Sequence, residues 1–129
     1  MSHFHLVSTG AEKERTLTGW DQWLYNVLPS LDLKGKKVAI FGVGDEMGYS
    51  FNYCDAVGEL HDEFAKTGAT LTYGRIPRDG YMFVNSKAEV EETPNKLYGM
   101  LFDEDNLSDR SEARAKAWVA QLKEEGFFD

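Results

Sequence analysis

Seven consecutive residues, Val38-Ala39-Ile40-Phe41-Gly42-Val43-Gly44, are all apolar or glycine. A run this short shows no helical period, and its continuity is that of a strand covered on both faces inside a parallel sheet. Such a strand needs helices on either side and crossover connections to its neighbours, so the flanking sequence must provide both. It does. Phe4 to Val7 is a β-favouring run that stops at Ser8-Thr9-Gly10. Trp20, Trp23, Leu24, Val27, Leu28 and Leu31 recur at helical spacing, with Pro29 ending or kinking that helix. After the central strand, Ala56, Val57, Leu60 and Phe64 share a helical face that Gly68 terminates. Thr70 to Tyr73 reads as a strand restarting, Arg75 to Lys96 is polar and aperiodic, and Leu97 to Phe102 is apolar again. The last strand is therefore expected to be split by a long insertion. Asp109 and Glu112 form a capping-box-like start to a final helix whose buried face is Ala115, Trp118, Val119 and Leu122, closed by Gly126.

The expected fold is a small α/β sheet of parallel strands in one domain spanning residues 1–129. A (β/α)₈ barrel, which takes roughly 200 residues or more, is excluded by length. The 14 basic and 22 acidic residues give a net charge of −8, the wrong sign for a protein that grips a phosphate backbone, so no nucleic-acid partner is expected. No apolar run approaches the ~18 residues of a membrane span. Met1 to Lys13 lacks a basic start and a long apolar stretch, so a cytoplasmic location is expected. Cys54 is the single cysteine, which excludes an intrachain disulfide; it reads as a small, half-buried residue. His3-x-His5 reads as surface decoration rather than a metal site, and Asp103-Glu104-Asp105 as charge favouring a helix N-terminus.

Ligands of parallel sheets bind at the carboxyl ends of the strands. That directs attention to Ser8–Gly19, Gly42–Asn52 and Asp103–Ser108. The second loop, Gly42-Val43-Gly44-Asp45-Glu46-Met47-Gly48-Tyr49-Ser50-Phe51-Asn52, combines three glycines with an aromatic ring. Backbone groups can hold one edge of a planar heterocycle while Tyr49 stacks on its face, an arrangement suited to a flavin or a nucleobase. The same composition also fits a tight strand-to-helix turn with Tyr49 packed on the surface.

The stretch from Val38 through Asn52-Tyr53-Cys54-Asp55-Ala56-Val57-Gly58-Glu59-Leu60 resembles the second half of a long-chain flavodoxin. So do Asp79-Gly80-Tyr81-Met82-Phe83-Val84-Asn85-Ser86-Lys87-Ala88, Gly99 to Asp109, and Trp118-Val119-Ala120-Gln121-Leu122. The resemblance runs from Leu17 to Lys123, with its motifs in the family's order and nearly its spacing. It implies a flavodoxin-like three-layer fold with a short parallel sheet of about three strands, the last split by the insertion at Arg75 to Lys96. It also implies FMN as cofactor, with Tyr49 stacked on the isoalloxazine and Gly44, Asp45 and Asn52 lining its pyrimidine side. Glu46 stands where the family often has Gln, adding negative charge beside the ring.

Two departures matter. Aligning Phe4 to Ser8 with the family's third strand places Leu17-Thr18-Gly19-Trp20 without a gap on the entry to the next helix. The first two strands and the phosphate-holding loop then have no counterpart, and Glu12 replaces a second stacking aromatic. A competing register makes Phe4 to Val7 the first strand and Ser8-Thr9-Gly10 a shortened phosphate loop, with Glu12 and Glu14 beside the phosphate. If the loop supplies three charge-assisted hydrogen bonds at ~1.5 to 3 kcal/mol each, its loss costs about 5 to 9 kcal/mol. A nanomolar site then becomes micromolar to millimolar. The exposed strand edge near Phe4–Val7, with apolar sheet surface beside it, calls for a homodimer, a complementing chain or a larger enzyme to cover it.

Two functions of different class follow from the resemblance. One is an FMN-linked one-electron carrier serving a redox partner protein or enzyme complex, its cofactor binding weakened or partner-dependent. The other is a flavin-free module that docks on a redox enzyme and regulates it. A third, a reductase with its own substrate, lacks an identifiable proton donor, so no catalytic residue is assigned.

Overall fold

The structure, a computed structural model, describes residues 3–9 by their backbone and residues 26–48, 50–51, 53–93 and 95–129. The helical face expected from Trp20 to Leu31 lies mostly outside the described residues. Its end is a 3-10 turn at Leu28–Ser30 in which Leu28 is buried.

Strand β1 (His3–Thr9) pairs in parallel with β2 (Lys36–Val43) along its whole length, from His3 opposite Lys36 to Thr9 opposite Gly42. Ser8 and Thr9 are thus strand residues facing Phe41 and Gly42, not part of a loop as the competing register required. Helix α1 (Asp55–Ala65) follows β2, and two short strands, β3 (Ile76–Pro77) and β4 (Lys96–Leu97), pair antiparallel. Strand β5 (Gly99–Phe102) then joins β2 in parallel, giving a sheet ordered β1-β2-β5, and helix α2 (Ser108–Glu124) closes the described chain.

The alternation of β2 assigns its two faces. Gly42 lies against Val57 of α1, while Phe41 meets the Trp118 ring of α2 at 5.9 Å. Helices therefore sit on opposite faces of the sheet, and Val38, Ala39 and Ile40 are buried as the continuous run required. Full burial of a Val or Ile side chain such as Val38 or Ile40 contributes about 1.5–3 kcal/mol relative to exposure.

The split strand is present in a form narrower than expected. Thr70 makes a single parallel bridge to Lys37, and Thr70 to Tyr73 is not a continuous strand. The edge is resumed when Gly99 pairs with Ile40. Between these points the insertion turns outward and buries Ile76, Phe83, Ala88, Val90 and Leu97, which join the core beneath Tyr53.

Three local expectations are corrected. Helix α2 begins after Leu107, which makes no side-chain cap, so Asp109 and Glu112 form no capping box; Asp109 only places its charge in the first turn. Trp118 and Leu122 are buried but Val119 is 39% exposed, because it sits on the flank of the helix, over an apolar groove. That groove, about 190 Å³, is lined by Phe41, Phe102, Ala115, Trp118 and Val119. Cys54 is fully buried rather than half-buried.

Candidate functional site

The loop after β2 lies beside the end of β5. Gly44 N–H donates to the Phe102 carbonyl at 2.9 Å, and the Tyr53 hydroxyl donates to the same oxygen at 2.9 Å. None of the three loop glycines is there for a left-handed backbone, since among the described residues the glycines with positive φ are Gly35, Gly68, Gly74, Gly80 and Gly126. They are there for close approach. A Cβ on Gly42 would fall 2.4 Å from Val57 Cγ2, one on Gly44 2.8 Å from the Tyr53 ring, and one on Gly48 2.5 Å from Asp45 Oδ2. The residue that takes the left-handed conformation is Cys54, with φ 51° immediately before α1.

Asp45 turns its carboxylate back on its own loop. Oδ1 accepts from Gly48 N–H at 2.8 Å and Met47 N–H at 3.1 Å, which holds the Asp45 pKa below the ordinary carboxylate value, with the Asn106 amide at 2.7 Å adding to the effect. Asp103 is fully buried at the end of β5 and was expected to favour a helix start; instead it binds the loop. Its Oδ2 accepts from Glu46 N–H and Asn106 Nδ2, and its Oδ1 from Asp105 N–H and Asn106 N–H. Asp45, Asp103 and Asp105 come within 4.8 Å of one another, but these N–H donors already occupy both oxygens of Asp103 and one of Asp45, which is the chemistry of a loop clasp.

Glu46 links the loop to the insertion. Its side chain is 1% exposed; Oε1 accepts from Met82 N–H at 2.5 Å and Oε2 has no partner. Val84 and Asn85 N–H both donate to the Ser50 carbonyl, and Ser86 Oγ donates to the Tyr53 carbonyl. Burial pushes the Cys54 thiol up to about 12 and the Tyr81 hydroxyl up to about 12, so neither ionises near neutral pH.

Among the described residues no bond from the Asp45 N–H is found, and residues 46–48 form a hydrogen-bonded turn that begins at the Asp45 carbonyl. The loop lies at the carboxyl ends of two parallel strands, where ligands of such sheets bind. Of the four expected contacts, Gly44 and Asp45 are in this loop, and Tyr49 and Asn52 lie outside the described residues. Sequence reasoning missed Asn106 and Met82; the only available signal was the acidic stretch before α2, already singled out as a loop to inspect.

A split edge strand, helices on both faces of a parallel sheet and a glycine loop at the strand ends define the class of flavodoxin-like α/β proteins. Comparison narrows this: the sequence model of the flavodoxin family matches residues 6–118, and the chain belongs to that family. It is 45% identical over 102 residues to a flavodoxin of Nostoc sp. (strain PCC 7120), covering 79% of this chain and 58% of that one. A flavodoxin of Enterobacter agglomerans is 37% identical over 114 residues, covering 88% of this chain and 62% of that protein. The chain thus spans under two thirds of the length of these relatives. The fold matches the crystal structure of Fusobacterium nucleatum flavodoxin bound to flavin mononucleotide with a TM-score of 0.82, at 23% identity, over 95% of this chain and 71% of that one. Among the described residues no helix is long and apolar enough to cross a membrane.

Proposed function

We propose that the chain binds the ring end of FMN and takes part in one-electron transfer with a cytoplasmic redox partner. The carrying observation is the loop at the end of β2, set at the carboxyl ends of two parallel strands and clasped by Asp103 and Asn106. A fixed loop in that place suits the pyrimidine edge of a flavin. When bound, FMN supplies the electron-carrying chemistry; the protein's own residues hold and orient it. Gly44, Asp45 and Asn52 line the pyrimidine side and Tyr49 stacks on the ring. The surrounding acidic residues disfavour an anionic ring and so lower its potential. Binding is in the micromolar to millimolar range unless another polypeptide segment adds phosphate contacts.

The test is titration with FMN, followed by visible absorption and flavin fluorescence. Saturable binding below about 1 mM is expected, and Tyr49→Ala should weaken it; unchanged affinity in that variant removes the stacking assignment. A protein that ignores FMN throughout this range defeats the carrier reading. It would leave the flavin-free module that docks on a redox enzyme.

One observation favours a protein partner in either case. Strand β1 is the edge of the sheet, and among the described residues nothing pairs with its outer side. A second copy or a complementing chain pairing near Phe4–Val7 satisfies that edge. Mass in solution distinguishes the two: a concentration-dependent dimer supports the first, and a monomer that associates only when a second polypeptide is added supports the second.

A further inference from the structure

We propose that Asn106 is a positioning residue for the glycine loop: one carboxamide holds two like-charged carboxylates together and so fixes the loop's ligand-facing backbone. Its Nδ2 carries two hydrogens. One goes to Asp45 Oδ1 at 2.7 Å, the other to Asp103 Oδ2 at 2.8 Å. Those two oxygens carry the loop. Met47 and Gly48 N–H hang on Asp45 Oδ1, and Glu46 N–H on Asp103 Oδ2. Three successive backbone amides are therefore oriented by two carboxylates that would otherwise repel each other across a few ångströms.

Backbone N–H groups of Glu46, Met47, Gly48, Asp105 and Asn106 also donate to that pair, but no side-chain cation faces it among the described residues. Among the described residues no Lys or Arg forms an ion pair with Asp45, Asp103 or Asp105. Like charges this close destabilise their arrangement unless donors stand between them. Among the described residues the Asn106 amide is the one side-chain donor that reaches both. It also spans 61 residues of sequence, tying the approach to α2 to the end of β2. Asn106 is itself exposed, so its loss removes little from the core. Its effect is local: without it the two carboxylates move apart, and the amides they orient turn with them. The connection to ligand binding rests on the flavin reading above; the ordering of the loop does not.

The experiment uses the full 129-residue chain with Asn106→Ala and Asn106→Asp. Amide hydrogen exchange at Glu46, Met47 and Gly48 reports loop order. Riboflavin, which has no phosphate, serves as the probe of the ring site. For Asn106→Ala, loss of two hydrogen bonds should speed exchange at these amides and weaken riboflavin each by about tenfold, with exchange at Val57 and Leu60 of α1 unchanged. Asn106→Asp places a third carboxylate in the cluster. Its riboflavin affinity should fall further at pH 7 and recover relative to wild type toward pH 5, a pH profile that a merely structural contact would not produce.

Unchanged exchange at the loop in Asn106→Ala overturns the proposal, as does acceleration spread equally to α1. A loosened loop with unaltered riboflavin affinity overturns its role in binding. If the wild-type chain takes no riboflavin, the flavin reading and the binding role fail together, and loop exchange still decides whether Asn106 holds the loop.

Discussion

Gly58 lies in the middle of α1, where propensity alone favours Ala over Gly by about 1 kcal/mol. The structure reverses that sign. An added Cβ would stand 2.1 Å from the Lys87 carbonyl oxygen and 2.6 Å from its carbon, so backbone rather than a flexible side chain is in the way. Relief requires α1 and the 86–88 segment to separate by more than an ångström. That strains the Lys87 N–H bond to Asp55 Oδ1 and the Ser86 hydroxyl bond to the Tyr53 carbonyl, and it opens the packing over Ala88. Overpacking costs about 1–3 kcal/mol, and each disturbed hydrogen bond about 0.5–1.5 kcal/mol. Against the propensity gain, Gly58→Ala should destabilise by about 2–3 kcal/mol, lowering Tm by roughly 6–15 °C for a chain of this size. Urea unfolding followed by far-UV circular dichroism measures it. Gly80→Ala is the control: φ is +91° and no atom lies within 4 Å of the added Cβ. Only left-handed strain of about 1–2 kcal/mol should appear there. A Gly58→Ala protein as stable as wild type, or more so, would refute the claim that α1 is seated against the insertion backbone.

Three further outcomes are expected. Glu46→Gln should raise Tm at pH 7, because it replaces a buried carboxylate whose Oε2 has no partner by a neutral amide while keeping the acceptor for Met82; about 1–3 kcal/mol is at stake, and a fall in Tm would contradict it. His61 stacks on Tyr98 at 3.7 Å, and burial holds its pKa below 6.5; Asp62 at 3.4 Å, with Glu92, pulls the other way but is 74% exposed and screened, while Arg75 adds to the lowering. With the folded pKa depressed, its contribution is present above pH 6.5 and lost as pH falls through the folded value, so His61→Phe should remove part of the stability lost between pH 7 and pH 5; an identical pH slope would argue against it. The Cys54 thiol, with its pKa near 12, should react with a disulfide reagent at pH 8 only as fast as the chain unfolds, and rapid reaction of folded protein would contradict its burial.

What the sequence disclosed is what local periodicity can carry. The Val38–Gly44 run, the Ala56/Val57/Leu60/Phe64 face and the interrupted last strand each depend on residues a few positions apart, and each is found. The clasp was hidden because its partners are 57 to 61 residues apart in sequence and meet only when β2 and β5 align. The capping box failed because α2 starts earlier than the spacing suggested: Leu107 is the cap residue and Asp109 already lies inside the first turn. The glycines were recognised but their purpose was not, since a close approach to Tyr53 or Val57 cannot be seen from Gly44 or Gly42 alone.

The insertion shows how a strand can be opened without losing the sheet. Thr70 bridges Lys37 and Gly99 meets Ile40, so the two pieces share one line along β2 although the chain leaves it for 28 residues between them. Such an excursion is tolerated at the outer strand of the described sheet, where the loop can bulge without displacing a further neighbour. The excursion is fastened on its return. Tyr98 N–H bonds the Ala88 carbonyl, Tyr81 Oη bonds the Leu101 carbonyl, and Met82, Val84 and Asn85 N–H groups bond Glu46 and Ser50. The insertion therefore braces the glycine loop from one side while Asp103 and Asn106 hold it from the other. A loop gripped from both sides spends little conformational entropy when a rigid ring docks.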